Sequence, residues 1–523
     1  MIMKTTYNIL MAGLLSALAF TSCEGFLDKF PETALSPETF YTNEKELTLA
    51  TNGFYAMLPK PDDSFDGALQ DNDLQFHLSL SSIQRGTRQA ETETWSASTW
   101  SDLRSINYYL EHSVKCTNED VRKKYDGIAY FFRAVFYYEK VRKYGDIPFY
   151  DHVISDSDKE SLYRPRDSRG FVMQKIMEDL DRAIDGLPVS WSEGVYRINK
   201  YAAYALKSRI ALFEGTWRKY HDIADESYTK EDGTTITLSS AYFLQLAADA
   251  AKAVMESGKY RMYNGATIVK GQPYRDYFVL EDAETSETIL SRRFLYTAEM
   301  QIRHGVQFTY KNQRYSLTRA LAYHYLMADG TPFQSQEGWQ TMQYNQEFNG
   351  RDPRMAQTIA APDSFLSSYY TDKHLEGADK GLILEIRRER TVELVNEGFR
   401  LWDMLRWHEG QQICPASNTL GPGFIGCWFP GLGEYDMNND GKPDLCIYSG
   451  STPQTDCDNT LNVAPGKENT LSEGTSGYLV QFKDQTYKWE EKDYLYPIPN
   501  KQMQIYPIDE TTGKSVLTQN PGY

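Results

Sequence analysis

The chain has 523 residues, which exceeds the usual size of one domain and predicts a large core or two fused subdomains. Its 72 acidic residues outnumber its 55 basic residues, and the net charge of -17 disfavours nucleic acid or an anionic membrane face as the main partner. Aromatic residues make up 14% of the chain. Most of its 38 tyrosines are expected between helices, and any on the surface could stack on sugars or other proteins.

The start of the chain has the pattern of an export signal. Lys4 is followed by an apolar segment at residues 9–20, and small residues lead to Cys23, so residues 1–22 are predicted to be a signal peptide. The stretch before Cys23 is similar to a bacterial lipobox, with Phe20 where leucine is usual. Acyl chains on Cys23 would hold the protein on a membrane. The alternative is an ordinary cleaved signal followed by an unmodified cysteine.

Helical periodicity dominates the first half of the chain. Asn43 and Glu46 have the spacing of a capping box, which predicts the start of an early helix. Further helices are predicted over 100–113, from near Asn118 to Gly145, from Asp167 to Gly186, over 201–217 and over 242–257. The last two carry alanine on their packing faces, as in stacked tetratricopeptide-like hairpins, in which alanine lets helices approach closely.

The stretch Glu385 to Trp407 is predicted to be one long helix. Its apolar residues recur at spacings of three and four and form a face that the rest of the protein must cover. Glu389, Glu393 and Glu397 stand four apart, and arginines of the same stretch lie within one turn. Because half-buried charge is costly unless it is paired, these glutamates are expected to pair with those arginines.

The rest of the sequence shows no regular periodicity and is rich in residues typical of loops. It contains Cys414, Cys427, Cys446 and Cys457, between which export permits disulfides of undetermined connectivity. Apart from these four and Cys23, the exported part contains one further cysteine, Cys116. No two cysteines form a CxxC pair, which disfavours a zinc ribbon.

The segment DMNNDGKPD has the spacing of a calcium loop. Its oxygen-bearing side chains are Asp436, Asn438, Asp440 and Asp444, and Gly441 stands at the sixth place, where a sharp turn is needed. Ile447 replaces the glutamate expected at the twelfth place, which favours a small standalone loop holding structural Ca²⁺. The alternative is an Asx-rich turn without an ion.

Motifs for catalysis are sparse. His408 and Glu409 are not followed by the second histidine of a metalloprotease helix, and neither a G-x-S-x-G elbow nor a glycine-rich phosphate loop occurs. A carboxylate pair for glycoside hydrolysis stays open, because such pairs are defined in space. Glu389 and Glu393 are the candidates, although nearby arginines favour acids of lowered pKa.

Several stretches, in this order along the chain, resemble the SusD/RagB family of outer-membrane lipoproteins of the Bacteroidetes. They are EGFLDKFPETALSPETFYTNEKELTLATNGFY, YFFRAVFYYEKVRKYGDIPFY, RINKYAAYALKSRIALFEGTW, AADAAKAVMESGKYRMY, RRERTVELVNEGFRLWDMLRW, and YLYPIPNKQMQIYP with the closing LTQNPGY. The resemblance implies a mainly α fold, in which a tetratricopeptide-like helical scaffold carries an irregular, loop-rich ligand-binding half. It also implies a lipid-anchored place on the surface of the outer membrane and a SusC-type TonB-dependent transporter as partner.

The resemblance divides the chain into a signal peptide at 1–22 and a single domain at 23–523. The helical scaffold is expected mainly at 36–260 and 385–408. The irregular part is expected mainly at 261–380 and 409–523.

Family binding sites tend to use residues from the loop before the second helix and from the irregular middle. Here those regions contain Asp73, Arg85, Arg88, Trp95 and Trp100, then Arg303, Tyr310, Arg314 and Trp339. An indole ring offers an apolar face to a sugar, and a charged neighbour can bind its hydroxyl groups. Trp100 begins a periodic helix, which favours the core over ligand contact.

Three hypotheses about function follow. Family members handle starch, other glycans or peptides, so the resemblance leaves the ligand open. The leading hypothesis is glycan capture without catalysis, followed by delivery to the transporter. The second keeps the architecture with a peptide as ligand, and the third is an exported glycoside hydrolase.

Overall fold

The computed structural model describes residues 40–59, 71–77, 79–91, 95, 97–265, 272–278, 280, 282–293, 315–355, 358–359, 379–395, 397–416, 420–437 and 440–523. The helices in these ranges are α1 (Glu44–Asn52), α2 (Ser82–Arg85), α3 (Ser101–Ser113), α4 (Glu119–Tyr144), α5 (Lys159–Leu162), α6 (Arg169–Gly186), α7 (Lys200–Tyr220), α8 (Ser240–Glu256), α9 (Gln272–Phe278), α10 (Arg319–His324), α11 (Lys380–Glu393), α12 (Arg400–Arg406) and α13 (Asn500–Met503). The strands are β1 (Gln75–His77), β2 (Glu226–Thr229), β3 (Thr235–Leu238), β4 (Tyr315–Leu317), β5 (Phe424–Phe429), β6 (Gly433–Tyr435), β7 (Leu445–Tyr448), β8 (Asn459–Asn462), β9 (Asn469–Leu471) and β10 (Gly477–Gln481). Helix outweighs strand, and the predicted mainly α fold is confirmed.

The long helices of the first half form a continuous array. Helix α3 packs on α4, α4 on α6, α6 on α7, and α7 on α8. Fully buried apolar side chains such as Ile128, Phe132, Ile176 and Leu180 lie between them, and each contributes about 1.5–3 kcal/mol by leaving water. We call this cluster of buried residues the main core. Stacking of successive helices is the arrangement predicted for the scaffold.

Side-chain caps fix where these helices begin. Asn43 accepts the backbone N–H of Glu46 at 3.2 Å, so the predicted start of α1 is confirmed. Asn118 likewise accepts a backbone N–H of α4. Helix α6 is capped by Ser168 rather than opened by Asp167, whose carboxylate instead accepts the N–H of Phe149 at 2.7 Å.

Helices α7 and α8 approach closely because small residues face each other. Ala211 and Ala247 are buried at this contact, and a methyl group on Gly215 would come within 2.7 Å of the Leu244 side chain. Ser208 donates its hydroxyl to the Ala247 carbonyl across the pair at 2.8 Å. The expectation from the alanine-rich faces is therefore confirmed.

A buried ion pair fixes α4 against α6. Arg133 donates from Nε and Nη2 to both carboxylate oxygens of Asp179, each at 2.7 Å. The two side chains are only 3% and 2% exposed. Removal of one partner would leave a buried charge uncompensated, at a cost of about 3–5 kcal/mol.

The irregular half contains small sheets and a second core. Strand β1 pairs antiparallel with β4, β10 lies between β5 and β9, and β7 lies between β6 and β8. The second core consists of the buried residues Leu74, Leu321, Ala322, Tyr325, Phe333, Phe348, Met355 and Val392. It is built from residues between positions 74 and 392 of the chain.

The stretch at Glu385 to Trp407 is divided into two helices, so the prediction of one continuous helix is wrong. Helix α11 ends at Glu393 and α12 begins at Arg400. Gly398 has a φ of +75°, a left-handed conformation that glycine adopts readily and that does not continue a helix. The apolar pattern persists across the break because both helices face inward. Val392 lies in the second core and Leu405 in the main core, so the stretch joins the two cores.

The expected pairing within this stretch is confirmed in part, because Arg388 contacts Glu385 at 2.7 Å and Glu389 at 2.8 Å. Arg354, from the irregular half, contacts Glu389 at 2.5 Å and also contacts Glu393. Burial would raise the pKa of Glu389, but Arg354 outweighs it and the pKa lies below its ordinary value. Arg390 pairs with Asp403 of α12 at 2.7 Å. The predicted lowered pKa is therefore found at Glu389, whereas burial raises the pKa of Glu397 above its ordinary value.

The segment after α13 returns to the helical array. Leu517 is fully buried in the main core. Asn520 donates from Nδ2 to the carbonyls of Tyr144 at 3.0 Å and Tyr496 at 2.7 Å, which satisfies the end of α4. Completion of the array therefore depends on residues far along the chain.

Candidate functional site

Strand pairing brings together the two regions that were predicted to bind ligand. Gln75 of β1 lies opposite Leu317 of β4. Thr318 donates its backbone N–H to the Leu74 carbonyl at 2.8 Å and its hydroxyl to the Asp73 carbonyl at 2.7 Å. The loop before the second long helix and the irregular middle are therefore neighbours. Arg303, Tyr310 and Arg314 lie outside the described residues.

The charged residues predicted in the first region contact protein groups. Both carboxylate oxygens of Asp73 accept from Arg400, at 2.7 and 2.6 Å. Burial would raise the pKa of Asp73, but Arg400 holds it below its ordinary value. Arg88 is buried, lies 3.9 Å over the Tyr496 ring and donates to the Leu495 carbonyl at 3.0 Å. A ligand could reach Asp73 or Arg88 only by displacing these contacts.

Arg85 differs from these two, because its side chain is exposed at the end of α2. Its backbone carbonyl accepts the N–H of Lys488 at 3.2 Å. Ligand binding by Arg85 stays a prediction.

Trp95 and Trp100 pack in the main core. Trp95 is only 5% exposed, and its ring centroid lies 4.9 Å from that of Tyr144 and 5.4 Å from that of Trp100. Trp100 packs in turn on Phe136 at 5.5 Å. The expectation that Trp100 belongs to the core is confirmed. Trp95 therefore presents no open ring face to a sugar. The polar residues that flank it in sequence do not reveal that its side chain is buried.

Trp339 lies at the surface, where a ligand can reach it. Its ring is half-buried, with its centroid 5.6 Å from that of Tyr323 and 6.2 Å from that of Phe333. Phe333 belongs to the second core. One side of Trp339 is therefore supported by protein while part of the ring stays in solvent.

Trp339 belongs to a larger group of half-buried rings, which we call the aromatic surface. Its members are Tyr323, Trp339, Tyr344, Trp428 and Tyr478. Tyr478 of β10 lies opposite Trp428 of β5, and its hydroxyl donates to the Gln340 carbonyl at 2.5 Å. Gln343 forms a β-bridge with Trp428. Backbone contacts thus hold the segment at 339–344 against the sheet that carries the other rings.

Arg319 is buried beneath the aromatic surface and contacts two of its rings. Its guanidinium lies 5.2 Å from the Tyr323 ring and 4.7 Å from the Tyr478 ring, and it donates to the Trp339 carbonyl at 3.4 Å. It is paired with Glu347, and both side chains are almost fully buried. Burial raises the pKa of Glu347 to about 7, although Arg319 and Arg351 act in the opposite direction. A buried cation beneath two rings fixes their orientation, so the surface is largely preformed.

Sequence reasoning found only part of this surface. Of its five members, only Trp339 is a predicted ligand residue. Trp428 and Tyr478 were missed because they lie about 90 and 140 residues beyond Trp339. The runs FIGCWF and GYLVQ at β5 and β10 were the available signal, since paired strands place aromatic residues side by side.

The loop at Asp436 to Asp444 has the turn geometry expected of it. Gly441 has a φ of +86° and donates its N–H to Asp436 at 2.8 Å. Asp440 accepts the N–H of Lys442 at 2.9 Å, and Asp444 that of Met437 at 2.7 Å. These are the contacts of an Asx-rich turn, and they leave calcium as a prediction. Asn438 lies outside the described residues.

The cysteines of the described ranges are all free thiols in this structure. Burial raises the pKa of Cys414 to about 11 and that of Cys427 to about 12, so these two are poor nucleophiles near neutral pH. Cys23 lies outside the described residues. Among the helices that the structure describes, none has the length and apolar character required to cross a membrane.

Two family descriptions match most of the chain. The one described as "Starch-binding associating with outer membrane" matches residues 25–212, and the one described as "SusD family" matches residues 296–367 and 361–523. The chain belongs to the SusD/RagB family. This membership confirms the resemblance found in the sequence.

Individual relatives of this SusD/RagB family member are distant. SusD-like protein P25 of Formosa agariphila is 25% identical over 221 residues, a match that covers 38% of this chain and 41% of that protein. A crystal structure of a SusD-like protein from Bacteroides fragilis has 18% identity and a TM-score of 0.61, covering 95% of this chain and 100% of the other. A SusD-like carbohydrate-binding protein from the same species has 15% identity and a TM-score of 0.58, covering 89% and 99%. At these identities the likeness shows a common fold.

Proposed function

We propose that this protein captures glycans at the cell surface and passes them, without catalysis, to a SusC-type TonB-dependent transporter. The observation that carries the proposal is the aromatic surface, where several rings are supported from below and partly open to solvent. Such rings present apolar faces to the C–H side of a sugar. Family membership and the fold shared with a SusD-like carbohydrate-binding protein support the same reading.

Polar groups accompany the rings. The side chain of Gln340 is exposed and that of Gln343 is half-buried, and both lie between Trp339 and the sheet that carries Trp428. Amide side chains both donate and accept hydrogen bonds, as sugar hydroxyl groups require. A preformed set of rings with amides beside them loses little conformational entropy on binding.

The carboxylates of this region favour binding over hydrolysis. A glycosidase needs an acid of raised pKa that reaches the scissile bond. Glu347 has such a pKa, but its carboxyl group is only 1% exposed and lies under the rings. Glu389 has a lowered pKa and contacts Arg354, and the same arginine contacts Glu393.

Binding is tested by affinity electrophoresis and calorimetry against a panel of polysaccharides. We expect at least one glycan to retard the wild-type chain, and Trp339→Ala to lose about 2 kcal/mol of binding free energy, or roughly 30-fold in affinity. Trp191→Ala is the matched control, because Trp191 is also half-buried but packs on the main core at the helical array. Equal loss in both variants, or unchanged affinity of Trp339→Ala, would contradict the assignment of the aromatic surface.

The other hypotheses predict different results in the same assay. Retention of peptides with no glycan retained would favour a peptide ligand. Shortened products that accumulate with time in a glycan incubation, and that disappear in Glu347→Gln, would establish a hydrolase. Neither result is expected from a surface that binds without chemistry.

Membrane attachment and the transporter need separate tests. We expect metabolic labelling with a fatty acid to mark the wild-type chain but not the Cys23→Ala variant. The variant should also be missing from the membrane fraction. A large barrel should co-purify with the wild-type chain from native outer membranes in a fixed ratio. A labelled Cys23→Ala chain would refute the lipid site, and a chain that purifies alone would refute the partnership.

A further inference from the structure

Three metal-ligating side chains meet at a point away from the aromatic surface. They are His221, which directly follows α7, His408, two residues after α12, and Glu491, which begins the turn at Glu491–Tyr494. One potential ligand atom of each lies within 4.8 Å of those of the other two. In sequence they are separated by more than 80 residues, so the fold itself assembles them.

We propose that these three side chains bind a divalent cation of the zinc type. Two imidazole nitrogens and one carboxylate oxygen form a donor set that Zn²⁺ accepts, with a fourth position left for water. Calcium and magnesium prefer all-oxygen sites, so the donor set selects against them. The proposal concerns a site separate from glycan binding and does not depend on it.

The distances are close to those of a metal site. His408 Nε2 lies 3.2 and 3.3 Å from the two carboxylate oxygens of Glu491. Two ligands at about 2.0 Å from a tetrahedral zinc ion stand roughly 3.3 Å apart. One ligand atom of each of the three side chains lies within 4.8 Å of the others, so binding draws them together by at most about 1.5 Å. The Glu491 side chain is 76% exposed and can rotate to follow the ion.

The two imidazole rings are held in place by their surroundings. The His221 ring stacks on Trp217 with centroids 3.9 Å apart, and its Nε2 lies 2.8 Å from the Leu405 carbonyl oxygen. A carbonyl oxygen only accepts, so this contact uses the Nε2–H. Such a carbonyl contact orients the histidine ligands of known metal sites.

His408 is oriented by its backbone and by a tyrosine. Its φ of +61° is unusual for a residue with a side chain. Its ring stacks on that of Tyr494 with centroids 4.4 Å apart, and the Tyr494 ring also meets His221 at 4.9 Å. Tyr494 thus lies beside both imidazoles and limits their movement, so little ordering remains to be done when an ion binds.

A bound ion would connect three elements of the scaffold. The end of α7, the end of α12 and the turn before α13 would share one ligand shell. Because the unfolded chain cannot assemble these side chains, binding would stabilise the folded state by mass action.

The test is calorimetric titration of untagged mature protein with Zn²⁺, followed by thermal unfolding with and without the ion. We expect one Zn²⁺ per chain and a rise of several degrees in Tm. His408→Asn and Glu491→Gln should each weaken binding by about tenfold or more. Asparagine tolerates the backbone of His408, and Glu491 is exposed, so both variants are expected to fold.

The matched control is His152→Asn. His152 contacts Asp151 at 2.9 Å in an exposed pair with no third ligand in the described part of the chain. It should bind Zn²⁺ as the wild type does. Cobalt substitution gives a second readout, because Co²⁺ in a tetrahedral site absorbs visible light far more strongly than hydrated Co²⁺. Binding that is absent, or equal in wild type, His408→Asn and Glu491→Gln, would overturn the proposal.

Discussion

The helical array and the aromatic surface are built in opposite ways. In the array, successive helices pack on one another and bury apolar side chains together with paired charges such as Arg133 and Asp179. The aromatic surface takes half-buried rings from segments distant in sequence, and Arg319 lies beneath two of them. Local packing gives a rigid support, whereas long-range assembly leaves side chains open to a ligand. The two regions should therefore respond differently to substitution.

The largest expected effect lies in the array. Asp179→Ala would leave the buried guanidinium of Arg133 without its carboxylate, and we expect the free energy of unfolding to fall by about 3–5 kcal/mol. Urea unfolding measures this change. As control, Glu256→Ala removes the partner of Lys252 in an exposed pair and should lose less than about 0.5 kcal/mol. Similar losses of unfolding free energy in the two variants would contradict the expected difference between a buried and an exposed ion pair.

The next largest effect concerns pH and the buried His324 of α10. Burial and the nearby Arg400 lower the pKa of its imidazole from 6.5 to about 3. Between these values the unfolded chain binds a proton that the folded chain does not bind. Stability from this group is therefore present above pH 6.5 and is lost as the pH falls, by up to about 1.4 kcal/mol per pH unit.

This pH dependence is measured by urea unfolding at several values between pH 7 and pH 5. His324→Asn should flatten the slope, because its side chain does not titrate. An unchanged slope in His324→Asn would show that other groups cause the acid sensitivity.

A smaller effect tests how the aromatic surface is held. Tyr478→Phe keeps the ring but removes the hydroxyl that donates to the Gln340 carbonyl. We expect about 1 kcal/mol lower stability and a several-fold weaker glycan affinity, because the segment at 339–344 loses one anchor. Tyr448→Phe removes a hydroxyl that contacts Thr452 and should leave affinity unchanged. Stronger binding by Tyr478→Phe would argue against a preformed surface.

The smallest expected effect is that of calcium on the loop at Asp436. A weak extracellular-type site would stabilise the protein by about 0.5–1.5 kcal/mol at millimolar Ca²⁺. Thermal unfolding with calcium or a chelator measures it, and Asp440→Asn should abolish the difference. Asp509→Asn is the control, because Asp509 also accepts backbone N–H groups in a turn. A chelator without effect on the wild type would favour the plain Asx turn.

The helical array could be predicted because its signals are local. Asn43 and Asn118 mark helix starts by a side-chain cap that acts over three residues, and the alanine faces of α7 and α8 indicate close packing. The break at Gly398 was missed because an apolar pattern continues when two successive helices both face inward, even towards different cores. Hydrophobic periodicity indicates which side of a helix is buried, but it does not show whether the helix is continuous.

The candidate site could be predicted only as a region. Pairing of β1 with β4 joins the two stretches expected to bind ligand, but burial decides which of their residues are open. Asp73 and Trp95 have side chains suited to sugars and nevertheless contact protein. Trp428 and Tyr478 enter the surface through strand pairing, and a single sequence does not determine that register.

The contact of Asn520 with the end of α4 bears on how the protein is made. A hydrogen bond joins residues 376 positions apart, and Leu517 fills the main core beside it. A chain made from its N-terminus onward exposes α4 long before Asn520 is made. The array is therefore completed only when this last segment is present, and contacts of such long range form slowly. Chaperones would have their longest opportunity to bind the chain during that interval.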